Sequence, residues 1–322
     1  MHSGMATNGI ISDGGRPPIV LLLGCTASGK SSTSISLAQR MKAEILSIDS
    51  MQVYRGMDIG TAKASLELRQ EVPHHLIDVA EPSELFSVAR FVELADEAIA
   101  SVASKGGRIL ATAGTPLYLM GLMYGMFEGP SADEAFRTEL RRRVDVEGLP
   151  ALHAELLRVD PDAAARIHPN DLKRIERGLE VYHLTGVPLS AQQGQWAAGI
   201  LRYPAVVVGI RRDREELSRR INKRVHEMMD AGLLHEVKRL LAEPAGMGTQ
   251  ARQALGYAQI IDYLEKRVSL EEAVEKIKVL TRQFAKHQRT WFHKFPMTRW
   301  VDVAGDETGE AIAERVLAVI GE

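Results

Sequence analysis

Gly24, Gly29, Lys30 and Ser31 fall in the spacing G-x-x-x-x-G-K-S, which is a phosphate-binding spacing. Glycines at both ends let successive backbone N–H groups turn inward around an oxyanion, and a helix starting there adds its positive end. Lys30 brings a mobile positive charge and the Ser31 hydroxyl offers a hard oxygen to Mg2+. The cradle is therefore Gly24, Cys25, Thr26, Ala27, Ser28, Gly29, Lys30 and Ser31. The pattern alone says neither which phosphate compound is held nor what becomes of it. The second chemical group is Asp49, which follows the apolar run Ala43 to Ile48. A carboxylate beside a phosphate site is costly unless used, so Asp49 is a catalytic or metal-related candidate; the plain alternative is a cap on the next turn. From Asp49 to Lys63 the chain carries Gln52, Tyr54, Arg55, Thr61 and Lys63, with glycines at 56 and 60. That texture suits a substrate-recognition loop, or else a solvated connection.

The elements that would position these groups alternate strand and helix. Ile19 to Leu23 is a buried strand, Ser31 to Met41 a helix and Ala43 to Ile48 a second strand. His75 to Val79 is a candidate third, Phe86 to Ala103 has a helical period stopped by Gly106-Gly107, and Ile109 to Ala113 is another buried strand. It ends in Gly114-Thr115, where Thr115 either meets a ligand or caps the following helix. Strand character returns only at Ala205 to Ile210, after helical segments in which Asn170 is the candidate N-cap of one that stops at Gly186. The fold class is therefore α/β, a P-loop NTPase-like parallel sheet with an inserted helical domain and C-terminal helices. Residues 17–130 and 200–322 would form the core, 131–199 the insertion and 1–16 a disordered extension. In such sheets ligands gather at the carboxyl ends of the strands, so Asp49 and Thr115 should face the same crevice as the cradle.

Over 322 residues, 45% apolar, there is material for one large or two medium domains. Forty basic against 42 acidic residues leave a formal charge of −2, so any polyanion surface must be local. One cysteine, Cys25, excludes a disulfide framework, and the histidine pair His74-His75 lacks the further ligands of a zinc site. No apolar run approaches the roughly 18 residues of a membrane span, and the first sixteen residues lack a signal peptide's basic start and apolar stretch. A cytoplasmic protein, away from membranes, is expected. Local basic clusters exist: Arg137 with Arg141, Arg142 and Arg143; Lys173, Arg174 and Arg177; Arg219, Arg220, Lys223 and Arg224. Asp213 with Glu216 and Ser269 with Glu272 announce two further helices. In the second of these, Lys278, Arg282, Lys286 and Arg289 recur every three or four residues, with no acidic residue from Lys276 to Arg299. A stripe so pure in sign favours a polyanion over plain solvation.

Two classes of function fit these residues. In one the cradle holds ATP for a small-molecule or nucleotide kinase; in the other it holds a pyrophosphate that departs from an activated group during transfer to a nucleic acid. GCTASGKS, SIDSMQVYRGMDIGTAK, AGTPLY, HPNDLKRIERGLEVY, RINKR and RQALGY, in this order between about Pro18 and Trp300, closely resemble the tRNA dimethylallyltransferase family. The resemblance implies transfer of a dimethylallyl group from dimethylallyl diphosphate to N6 of the adenosine 3′ of the anticodon, with Mg2+ as cofactor and the tRNA anticodon stem-loop as partner. It implies Asp49 as the base, and Thr26 and Arg224 against the diphosphate, with Ser31 on the metal. Contacts to tRNA would come from Asp49, Ser50, Met51 and Gln52, from Thr115 and Arg137, from Lys173, Arg174, Ile175, Glu176 and Arg177, and from Arg252, Gln253, Ala254, Leu255, Gly256 and Tyr257. The sequence departs from the common pattern at Cys25, where proline is frequent, and at Ala113, where glycine is. Neither removes a chemical group. A monomer is expected.

Overall fold

The computed structural model describes residues 16–126, 129–192 and 199–322. Of the extension expected over 1–16, only Arg16 lies within them, and it is held in place: its guanidinium lies over the Tyr203 ring and pairs with Asp96. The described residues form two compact units, one from residues up to Met123 and from Leu201 onward, the other Tyr124–Ile200.

The first unit is built on six parallel strands: β1 (Ile19–Gly24), β2 (Ala43–Ile48), β3 (His74–His75), β4 (Arg108–Ala113), β5 (Ala205–Arg212) and β6 (Arg299–Val303), ordered β3-β2-β4-β1-β5-β6. β1 is buried along its whole length, as expected of a central strand covered on both faces. Its helices are α1 (Lys30–Met41), α2 (Leu66–Glu71), α3 (Val88–Ser104) and α4 (Pro116–Tyr124), the last crossing the boundary residue. The second unit holds α5 (Glu134–Glu147), α6 (Leu149–Val159), α7 (Pro161–Arg166), α8 (Leu172–Thr185) and α9 (Leu189–Gln192). The first unit then resumes with α10 (Arg214–Asp230), α11 (Leu233–Ala242), α12 (Thr249–Arg252), α13 (Tyr257–Leu264), α14 (Leu270–Phe292) and α15 (Gly309–Ile320).

Core packing follows from the patterns. Val20, Leu22, Leu110, Val206 and Val208 of the sheet meet Leu37 and Ala38 of α1 and Ile312 and Val316 of α15; each fully buried aliphatic side chain contributes about 2 kcal/mol. The second unit has its own core around Leu140, Leu152, Leu156, Ile175 and Leu179. The Ser269 and Glu272 capping box starts α14 as expected, each side chain bonding the other's backbone N–H.

Two local expectations fail. The strand expected over His75 to Val79 is only His74–His75, because Leu76 and Asp78 adopt positive φ of 64° and 57°, which no strand can continue. The cap of α8 is Asp171, whose carboxylate accepts the Arg174 N–H, and not Asn170.

Strand order assembles the site. β4 lies between β1 and β2, and Ala113 is in register with both Leu23 and Ile48. With about 4.8 Å between neighbouring strands, Gly24, Gly114 and Asp49 emerge side by side from three adjacent strand ends.

Candidate active site

The loop between β1 and α1 is held by side chains of distant elements. The Gln288 side chain accepts the Thr26 N–H at 2.8 Å, Arg220 donates to the Ala27 carbonyl at 2.9 Å and Arg212 to the Ser28 carbonyl at 2.7 Å. Three elements (α14, α10 and the end of β5) thus grip three consecutive residues, including Ala27 at a φ of 65° that an alanine rarely adopts. These bonds occupy the carbonyls of Ala27 and Ser28. Gly24 is required by close approach, since a Cβ there would lie 2.6 Å from the Ser28 hydroxyl oxygen.

Into the same cavity of about 380 Å³ project Lys30, Arg224, Asp49, Thr26 and Ser31. Lys30 and Arg224 make no ion pair or hydrogen bond among the described residues. Burial pushes both below their ordinary pKa, with Asp49 pulling each back up. Withdrawn, unpaired cations of this kind fit a polyanion. The Cys25 thiol borders the cavity, and burial pushes its pKa up against the pull of Arg289 and Lys30.

Asp49 divides its carboxylate. Oδ1 accepts the N–H groups of Met51 at 2.8 Å and Gln52 at 3.3 Å, the capping role, while Oδ2 makes no hydrogen bond among the described residues. Oδ2 lies against Gly114, where a Cβ would come within 2.5 Å of it. Thr115 precedes α4, its carbonyl accepting the Leu119 N–H, while its hydroxyl accepts the Ser50 N–H at 2.9 Å and binds β4's end to β2's. Gln52 spends its amide accepting from Ser47 and donating to the Thr61 carbonyl.

On the far side of Asp49 a more apolar cavity of about 250 Å³ opens, lined by Thr26, Ser50, Met51, Thr115, Gln253, Ala254, Leu255, Gly256, Ile221, Val225 and Phe284. The two cavities share Thr26, Asp49, Thr61 and Arg224. One is cationic, the other largely apolar, and the carboxylate stands where they meet.

The polar loop 49–63 is secured by Glu236, a residue no sequence motif marks. Its buried carboxylate accepts the N–H groups of Asp58, Ile59 and Gly60 and the Tyr257 hydroxyl at 2.6 Å. Lys63 adds a second anchor, donating to the Tyr54 carbonyl, Asp58 and Asp78.

Several of the residues expected to meet tRNA are buried or paired within the protein. Ile175 and Tyr257 are fully enclosed, and Tyr257 instead anchors Glu236. Glu176 is buried against Arg141. Arg137 and Arg177 direct their guanidinium groups onto the buried Glu180. In that cluster Lys173 and Arg174 remain exposed. In α14 the stripe loses Lys278, which is buried and paired with Glu275, and Arg282 donates to Asn222; Lys286 and Arg289 are exposed.

Gln288 and Arg212 lie outside every motif of the sequence, while Arg220 opens the RINKR stretch. Gln288 had a signal: it occupies a position of the buried stripe Ala273, Ile277, Ala285 and Phe292 of α14, and an amide in such a stripe needs partners.

The comparisons agree with this geometry. The family described as IPP transferase matches residues 52–295, and the one described as isopentenyl transferase matches residues 17–83. A tRNA dimethylallyltransferase of Pelobacter propionicus is 44% identical over 286 residues, 89% of this chain and 93% of its own length. The crystal structure of the tRNA isopentenylpyrophosphate transferase of Bacillus halodurans is 40% identical, with a TM-score of 0.68 over 95% of this chain and 97% of that one. A eukaryotic dimethylallyltransferase solved acting on tRNA superimposes with a TM-score of 0.74 at 27% identity, over 95% of this chain and 79% of that one. With its cationic loop, its carboxylate and its apolar cavity arranged on this sheet, and with these matches over nearly its whole length, the chain belongs to the tRNA dimethylallyltransferase family.

Proposed function

We propose that this enzyme transfers the dimethylallyl group of dimethylallyl diphosphate to N6 of the adenosine 3′ of the anticodon, with Asp49 as the base. The observation that carries the reading is the pair of unpaired, withdrawn cations Lys30 and Arg224 facing the loop amides across from an unbonded Asp49 Oδ2. The diphosphate sits in the cationic cavity, and the target adenine, flipped out of its loop, enters the apolar one beside Met51, Leu255 and Phe284. The N6 lone pair attacks the allylic C1. The C1–O bond breaks and its electron pair leaves on the diphosphate, where Lys30, Arg224 and the loop N–H groups hold the growing charge. Asp49 Oδ2 takes the N6 proton, which leaves a neutral secondary amine. Thr26, common to both cavities, is positioned to orient the amine.

The residues fit Mg2+ as a companion of the diphosphate rather than as a resident ion. Ser31 Oγ offers a hard oxygen, yet no group of three acidic, histidine or cysteine side chains among the described residues could hold a metal alone. Mg2+ typically keeps several waters and binds through a few protein oxygens plus phosphate. Bound there, it would neutralise charge on the leaving group.

Lys173 and Arg174 in the helical unit, and Lys286 and Arg289 on α14, supply the sequence-independent grip on the RNA backbone. We assign the activity to a monomer in the cytoplasm; no helix among the described residues is long and apolar enough to cross a membrane. The test combines labelled dimethylallyl diphosphate, Mg2+ and an anticodon stem-loop with consecutive adenosines, run beside an ATP-consumption assay. Label entering the RNA without ATP loss is expected. ATP-dependent phosphorylation would return the site to a kinase.

A further inference from the structure

We propose that Gln288 is a positioning residue that fixes the diphosphate loop relative to the base, an inference that rests on the prenyl-transfer reading above. Its carboxamide is 2% exposed and bridges two strand ends: Oε1 accepts the Thr26 N–H at 2.8 Å, and Nε2 donates to the Gly114 carbonyl at 2.6 Å. The orientation is unambiguous, because a backbone N–H can only donate and a carbonyl only accept. Each end of the bridge touches the chemistry. Thr26 is one of the residues common to the anion cavity and the apolar cavity. Gly114 is the surface on which Asp49 Oδ2 rests.

The bridge also removes a donor. With its N–H given to Gln288, Thr26 faces substrate through its hydroxyl alone, so the anion is held by the rest of the loop. The β1–β4 ladder ends at Leu23 and Ala113, so beyond it Gln288 ties the two loops together. A carboxamide donates at one end and accepts at the other without titrating. It adds no charge beside Lys30 and Arg224.

Two substitutions and two readouts test this. Gln288→Leu should lower kcat about 100-fold, the cost typical of an ångström-scale misplacement, with much smaller changes in KM for either substrate. It should also speed hydrogen exchange at the Thr26 amide. Gln288→Glu should be pH-dependent in a way the parent enzyme is not. As a neutral acid it can accept from Thr26 and donate to Gly114; as a carboxylate it has no donor and repels that carbonyl. Its kcat relative to the parent should therefore rise as pH falls, by up to tenfold per pH unit, with Thr26 amide protection recovering in parallel. A pH-independent ratio for Gln288→Glu, or a Gln288→Leu enzyme within twofold of the parent kcat, would overturn the proposal. Absence of label transfer by the parent enzyme would instead overturn the reading on which it rests.

Discussion

At Asp49 one carboxylate oxygen holds the turn that follows β2 and the other makes no hydrogen bond among the described residues. The Met51 and Gln52 N–H groups anchor Oδ1, so the free Oδ2 is presented at a fixed angle beside Lys30 and Arg224. Asp49→Asn keeps a turn-capping oxygen but loses the base. It should lower kcat by about 100-fold or more while leaving stem-loop affinity within a few fold by filter binding; near-normal turnover would remove Asp49 from that role. Gly114 makes the complementary case. Its alanine variant would push a methyl group to 2.5 Å from Oδ2, so Gly114→Ala should reduce kcat about 100-fold with diphosphate binding by calorimetry little changed.

Among the elements, α14 does two jobs from opposite faces. Its buried stripe carries Gln288 to the strand ends, and its exposed side carries Lys286 and Arg289. Helical periodicity made the four cations look equivalent, yet Lys278 is turned inward and paired with Glu275. Lys286→Glu with Arg289→Glu should weaken stem-loop binding and flatten its salt dependence by about two counterions. Lys278→Glu should leave that slope unchanged and lower the melting temperature, since it puts a second carboxylate beside Glu275. A slope altered equally by both variants would restore Lys278 to the RNA-facing set.

Across the molecule, the two compact units are stabilised in different ways. The first closes aliphatic residues around a parallel sheet; the second adds to its leucine core the buried carboxylate of Glu180, gripped by Arg137 and Arg177 and by the Asp133 N–H. Burial pushes the Glu180 pKa up, but these bonds outweigh it and hold it below 4.5. A carboxylate with a depressed folded pKa stabilises fully above its unfolded value, and that stability is lost as pH falls through the folded one. Denaturant unfolding followed by a probe in the helical unit should therefore lose stability as pH falls through and below the ordinary carboxylate range. Glu180→Ala should lower stability at neutral pH by removing the carboxylate shared by Arg137, Arg177 and the Asp133 N–H, and should lack that acid-dependent loss.

The sequence by itself determined the phosphate loop, the alternation of strand and helix, the carboxylate after the second strand and the family. All are written in local spacing, because glycine conformation, helical period and strand burial depend on neighbours along the chain. Only the tertiary structure decided which polar groups are free to act. Glu176, Arg137, Arg177 and Lys278 match candidates by residue type, yet Glu176 is paired with Arg141, Arg137 and Arg177 with the buried Glu180, and Lys278 is buried and paired with Glu275. Gln288 gained its role from Thr26 and Gly114, residues 262 and 174 positions away. A hydrogen bond across such distances is set by how the elements pack, and no local pattern records it.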